Sequence, residues 1–193
     1  MANNKNSKKT TQRNTKKKNS NSMTWIFGGV VLLLLVAIIW GMLSNSNEGT
    51  ASAAPEIDNI ACQSMEGATQ HNHAHLAIFN NGQRVEVPAN IGILPGNNCM
   101  YWLHTHDNTG ELHIESPVSR DFTLGNFFDI WKQPLDQTHV LSYSNGSPLK
   151  VYVDGKPFDG DPRTIQLKSH TMITLEVGPN FVEPATFNFP QGD

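Results

Sequence analysis

The sequence predicts an α+β protein: a β-rich domain of antiparallel hairpins with one short helix, preceded by a single transmembrane helix. Three observations predict it. An uncharged apolar run covers residues 23–43. Beyond it, period-two alternation recurs in short segments punctuated by Asn-Gly and Asp-Gly pairs. One stretch alone, residues 123–131, carries apolar residues at helical spacing.

Residues 1–22 hold Lys5, Lys8, Lys9, Arg13, Lys16, Lys17 and Lys18 and no acid. Such a polar tail cannot bury a core and is expected to be disordered. The remaining 7 basic and all 17 acidic residues leave the rest of the chain at −10. Between these charge blocks, residues 23–43 are long enough to span a bilayer, with Trp25 and Trp40 near the two ends where indoles favour the interface. Seven positive charges before the span place the N-terminus in the cytoplasm and the following domain outside, at the cell membrane. A cleaved signal peptide is the rival reading. The apolar run is longer than a signal peptide's, and the small-residue site Ala51-Ser52-Ala53 lies well past its end, so an uncleaved anchor in membrane lipid is preferred. Residues 44–57 read as a linker and residues 58–190 as the extracytoplasmic domain. Cys62 and Cys99, an even pair in an oxidising compartment, read as a disulfide.

Within the domain, residues 71–79 alternate, Asn81-Gly82 supplies a type I′ turn, and residues 83–87 alternate again, so that Ile78 pairs with Val85 and Leu76 with Val87. Residues 100–106 and 111–115 form a second expected hairpin, with His106 opposite Glu111 and His104 opposite His113. Residues 150–153 lead into the Asp154-Gly155 turn, and residues 164–167 and 172–177 are expected as further strands. The helix starts at a Thr123 cap and runs through Leu124, Phe127, Phe128 and Trp131, with Phe122 as a staple and Pro134 just past the end. Strand order does not follow from these signals.

Six of the eight histidines fall between residues 71 and 113. Strand side chains alternate, so His71, His73 and His75 share one face, while Leu76 and Ile78 take the other. On the second hairpin His104, His106, Glu111, His113 and Glu115 share one face, and Tyr101, Leu103, Leu112 and Ile114 the opposite one. Imidazoles converging in this number are donors for a transition metal ion, copper or zinc, with Glu111, Glu115 or Asp107 completing the shell or orienting a ring. Cys99 has the parity of Leu103 and points away, which argues against a copper–thiolate centre and for the disulfide. His139 and His170 read as ordinary surface residues.

The stretches HNHAHLAIFNNG (71–82), CMYWLHTHDNTGELHIESP (99–117), FTLGNFFDIW (122–131) and VYVDGKPFDGDPRTIQLKSH (151–170) resemble a family of bacterial membrane-anchored, histidine-rich domains. The resemblance implies one coherent domain over most of residues 60–178 and no particular reaction or ligand. A weaker likeness to cupins rests on His104, His106 and Glu111, which are similar to that family's first metal-binding motif. Asn98 and Val118 stand where the motif has glycines, and no second motif follows.

Three functions compete. The first is metal capture or delivery, with a metal-receiving protein partner. The second is a metal-dependent enzyme, cupin-like or hydrolytic, with Glu111 or Glu115 as general base. The third is a non-catalytic envelope interaction module with decorative histidines. There is no nucleophile elbow, P-loop, dinucleotide fingerprint or C-x-x-C pair, and the domain's scattered basic residues argue against nucleic-acid binding.

Overall fold

The computed structural model describes residues 54–190. The expected cytoplasmic tail, the transmembrane helix and residues 44–53 of the linker lie outside them. Among the described residues no helix is long and apolar enough to cross a membrane.

The strands are β1 (Cys62–Gln63), β2 (Gln70–Asn80), β3 (Gln83–Val85), β4 (Ile93–Leu94), β5 (Cys99–Tyr101), β6 (Leu103–His104) and β7 (Glu111–Ser116). After the helix α1 (Leu124–Trp131) come β8 (Lys150–Val153), β9 (Lys156–Pro157) and β10 (Met172–Val177). The main sheet has the order β6-β7-β2-β10-β8-β9, with β3 also on β2; a small second sheet has the order β1-β5-β4. Among the described residues the β-rich class with one short α-helix is as expected. The pairing is not purely antiparallel, because β10 runs parallel to β2. Parallel neighbours need a long crossover, and here residues 81–171, including α1, supply it.

The first hairpin turns as its sequence requires. Asn81 and Gly82 both have positive φ (52° and 78°), and Ile78 pairs with Val85. The expected Leu76–Val87 pair does not form, since β3 stops at Val85. β10 occupies one edge of β2 from His75 to Asn80, so β3 and β7 must share the other. From Leu76 downwards that edge belongs to β7, and the Leu76 amide donates to the Gly110 carbonyl. Gly110 (φ +94°) has to be glycine, because a Cβ would collide with the Leu76 carbonyl oxygen.

Register decides the two faces of the sheet. Leu76 and Ile78 stand beside Ile173 and Leu175 of β10, and these beside Val153 and Val151 of β8. With Leu103, Leu112, Ile114 and the helix residues Leu124, Phe127 and Phe128 they form one buried core. Thr123 caps α1 in a reciprocal box with Asn126, and Lys132 in the left-handed region ends it. The expected strand at 164–167 is absent. Pro162–Thr164 is a 3-10 turn capped by Asp161, and only an isolated bridge joins Gln166 to Thr123. The alternation there is real, for Ile165 and Leu167 are buried, but they face the core beneath α1 rather than a sheet ladder.

Cys62 and Cys99 are disulfide-bonded and tie β1 to β5 in the second sheet. Ordered contacts reach back to the start of the described chain: Ala54 is buried, and the Tyr101 hydroxyl donates to the Pro55 carbonyl at 2.7 Å.

Residues 180–190 form a strap with no regular secondary structure. Val182 donates its amide to Glu176 Oε1 (2.9 Å), Ala185 to Thr174 Oγ1 (3.1 Å) and Phe187 to Met172 Sδ (3.4 Å). Glu176, Thr174 and Met172 lie on the non-core face of β10, so the strap runs along the back of the sheet. It ends with Phe187 stacked on His75 and Phe189 on His170.

Candidate metal centre

The position of β7 between β2 and β6 brings the histidines together. Its register sets Glu115 opposite His71, His113 opposite His73 and Glu111 opposite His75. On its other edge His113 is opposite His104. Directly paired residues have Cβ atoms roughly 4.5–5.5 Å apart, so three strands deliver their donors to one patch of the non-core face.

Two overlapping sets of donors result. In each, one ligand atom from every residue lies within 4.8 Å of the others: His71, His73, His113 and Glu115 in the first, and His104, His106, His113 and Glu115 in the second. In the first set His73 Nε2 is 3.0 Å from His113 Nδ1, and Glu115 Oε1 is 3.3 Å from both His113 Nδ1 and His71 Nε2. In the second, His104 Nε2 is 3.2 Å from His106 Nε2 and 3.7 Å from Glu115 Oε2. His73, His104 and Glu115 are buried, His113 is half-buried, and His71 and His106 are exposed at opposite wings.

His104 is the most constrained ring. Its side chain is 0 % exposed, and Nδ1 donates to the Tyr101 carbonyl at 2.9 Å, which leaves the Nε2 lone pair facing the cluster. Such a hydrogen bond behind a ligand ring fixes its tautomer and orientation. Burial, aided by the neighbouring His106 and His113, pushes its pKa down to about 4 against the opposing pull of Glu115 and the Tyr101 carbonyl. For Glu115, burial acts to raise the pKa. The hydrogen bond from His113 and the fields of His104, His113 and His71 outweigh it and hold the carboxyl below its ordinary range. Above mildly acid pH the centre therefore offers a neutral imidazole beside a carboxylate, the protonation states that metal ligation requires.

β6 ends at His104, so the expected His106–Glu111 pair is absent from the ladder. His106 nevertheless returns to the cluster, because the chain around it is pinned. The buried Thr105 between the two histidines donates Oγ1 to the Pro88 carbonyl (2.8 Å) and accepts from the Ile91 amide (3.0 Å). Asp107 Oδ1 then accepts from the Thr109 amide and hydroxyl, at 2.9 and 2.6 Å, closing the loop. Those two bonds, hydroxyl first, also hold the Asp107 carboxyl below its ordinary pKa. Sequence reasoning missed Thr105. Its signal, a small hydroxyl residue between two histidines, gains meaning only from the partner loop at 88–91.

His75 and Glu111 were expected among the donors, and both fall outside the two sets. His75 lies under Phe187, ring centroids 4.3 Å apart and planes 9° from parallel, with Nε2 3.2 Å from the Thr109 carbonyl. Burial, with a smaller contribution from the Arg84 cation, lowers its pKa to about 4 despite the Thr109 carbonyl. Glu111, its ladder partner, is buried at the same end of β7. Among the remaining histidines, His139 interacts locally with Asp136 and Thr138, and His170 stacks on Phe189.

A cleft of about 640 Å³ opens beside His71, lined among others by Asn72, Arg120, Asp121 and Lys168. No family model, curated protein or solved structure matches the chain.

Proposed function

We propose that the chain is a membrane-anchored, extracytoplasmic protein that binds a transition metal, copper or zinc, and captures it or delivers it to a receiving protein. The observation that carries the reading is the convergence of five histidines and one carboxylate, four of the histidines and the carboxylate from three neighbouring strands and His106 from the loop after β6. Nitrogen-rich donor sets favour zinc and copper, whereas calcium and magnesium seek oxygen. The uncharged run at 23–43 behind a basic tail supports the anchor and its orientation. The Cys62–Cys99 disulfide supports an oxidising compartment.

The test is metal analysis of the purified chain before any chelator is used, followed by calorimetric titration with Zn²⁺ and Cu²⁺. Binding tighter than millimolar that Glu115→Ala, a change at a donor common to both sets, weakens is the expected result. Its absence for both metals removes the reading.

A second reading, a metal-dependent enzyme, has one observation of its own: a cleft lined by His71, one of the donors, together with Arg120 and Lys168. A carrier needs only an accessible ion, while an enzyme needs room for a substrate beside it. Hydrolytic activity in the zinc-loaded chain that an Arg120→Ala or Lys168→Ala change lowers, with zinc still bound, would favour this second reading.

A further inference from the structure

We propose that the cluster holds two metal ions at once, with Glu115 bridging them. The proposal rests on the metal-binding reading above and specifies its stoichiometry.

The two oxygens of Glu115 face different histidines. Oε1 is 3.3 Å from His71 Nε2 and 3.3 Å from His113 Nδ1, which is itself 3.0 Å from His73 Nε2. Oε2 points the other way, 3.7 Å from His104 Nε2, which is 3.2 Å from His106 Nε2. Zinc–nitrogen bonds of about 2.0–2.1 Å in a tetrahedron put neighbouring donors about 3.3 Å apart. The closest donor pairs, 3.0 and 3.3 Å apart on one wing and 3.2 and 3.7 Å on the other, approach that spacing, and all donors of each set lie within 4.8 Å of one another.

One ion does not use this arrangement. A tetrahedral ion takes four donors, and six residues converge here. Choosing either set leaves two histidines idle and one Glu115 oxygen turned away. The second oxygen carries an independent sign of a missing partner: Oε2 is buried and makes no hydrogen bond. An unsatisfied buried polar atom is costly, and more so on a charged group. A cation between Oε2, His104 and His106 would offset that cost. The pinning of the 104–107 loop by Thr105 has the same sense, since it returns His106 to His104 after the strand has ended.

In two-metal sites the ions lie about 3.5–4 Å apart and share a bridging ligand. Glu115 on the central strand has the required position. His113, common to both sets, serves one of the two ions. The exposed edges at His71 and His106 admit solvent ligands that complete each shell and offset the charge which a single carboxylate leaves over.

The experiment is a stepwise Zn²⁺ titration of the purified full chain, read by native mass spectrometry, together with electron paramagnetic resonance of the Cu²⁺-loaded chain. Two zinc ions per chain are expected, with a copper signal that integrates to less than the bound copper because neighbouring spins couple. His71→Ala and His106→Ala, both at exposed positions, should each weaken a different binding step at least tenfold and leave the other step within about threefold. One ion per chain would overturn the bridge and keep the metal-binding reading. No bound ion would remove both. Two ions with full, uncoupled copper signals, or variants that weaken the same step equally, would also overturn the bridge.

Discussion

Acidification of the metal-free protein should lower its stability steeply between pH 6.5 and 4, and two buried imidazoles set the size of the effect. His75 and His104 have native pKa values near 4, in each case chiefly through burial. In the unfolded chain an imidazole titrates near its ordinary 6.5. Between these values the unfolded state takes up protons that the native state refuses, so stability rises with pH. The contribution is fully present above pH 6.5 and is lost as the pH falls towards 4. At pH 4.5 each group costs about 2–3 kcal/mol, and the pair about 5 kcal/mol if they titrate independently. Glu115, held below its ordinary pKa, adds to the loss in the same direction at the acid end. A typical domain has only about 5–15 kcal/mol in total, so the loss can approach complete unfolding. The assay is urea unfolding of the chelator-treated chain, followed by tryptophan fluorescence at pH 7.5, 6.0, 5.0 and 4.5. His75→Phe removes one of the two groups and should roughly halve the fall in unfolding free energy across that range. A fall below about 1 kcal/mol in the unsubstituted protein, or an undiminished fall in the variant, would refute the reasoning.

Glu115→Gln leaves the shape of the central residue but removes its charge; affinity for Zn²⁺ should fall at least 10–100-fold by calorimetry, the range typical of weakened support around a metal site. Thr105→Val deprives the buried Ile91 amide of its acceptor and should cost about 1–3 kcal/mol in chemical unfolding, with weaker metal binding because His106 is no longer held near His104. Replacing Cys62 and Cys99 together by serine opens a loop with a sequence separation of 37, and the chain-entropy model puts the loss at about 4 kcal/mol; the melting temperature of the double variant measures it. Gly110→Ala places a Cβ against the Leu76 carbonyl at a backbone angle that disfavours side chains, and should lower both the melting temperature and the Zn²⁺ affinity by shifting β7 along β2.

Local chemistry alone determined much of this protein. Period-two alternation assigned His71 and His73 to one face and Leu76 and Ile78 to the other. Asn81-Gly82 set the register of the first hairpin, and Leu103, His104, His113 and Ile114 set that of the second. Thr123 and the spacing after it located the helix, and the cysteine parity identified the disulfide. These signals are short-range, because a strand's side-chain direction and a turn's dihedral angles depend on only a few adjacent residues. The tertiary structure alone decided that β7 stands between β2 and β6, so that two separate histidine faces become one. It also decided that β10 joins β2 in parallel across a long crossover, a pairing no turn residue marks. The fate of His75 is of the same kind. On the strand it is equivalent to His73, but the C-terminal strap, a segment without periodicity, lays Phe187 over it while His73 keeps its place beside His113. Contacts between residues this far apart in the chain depend on how the whole core packs, and no local pattern encodes them.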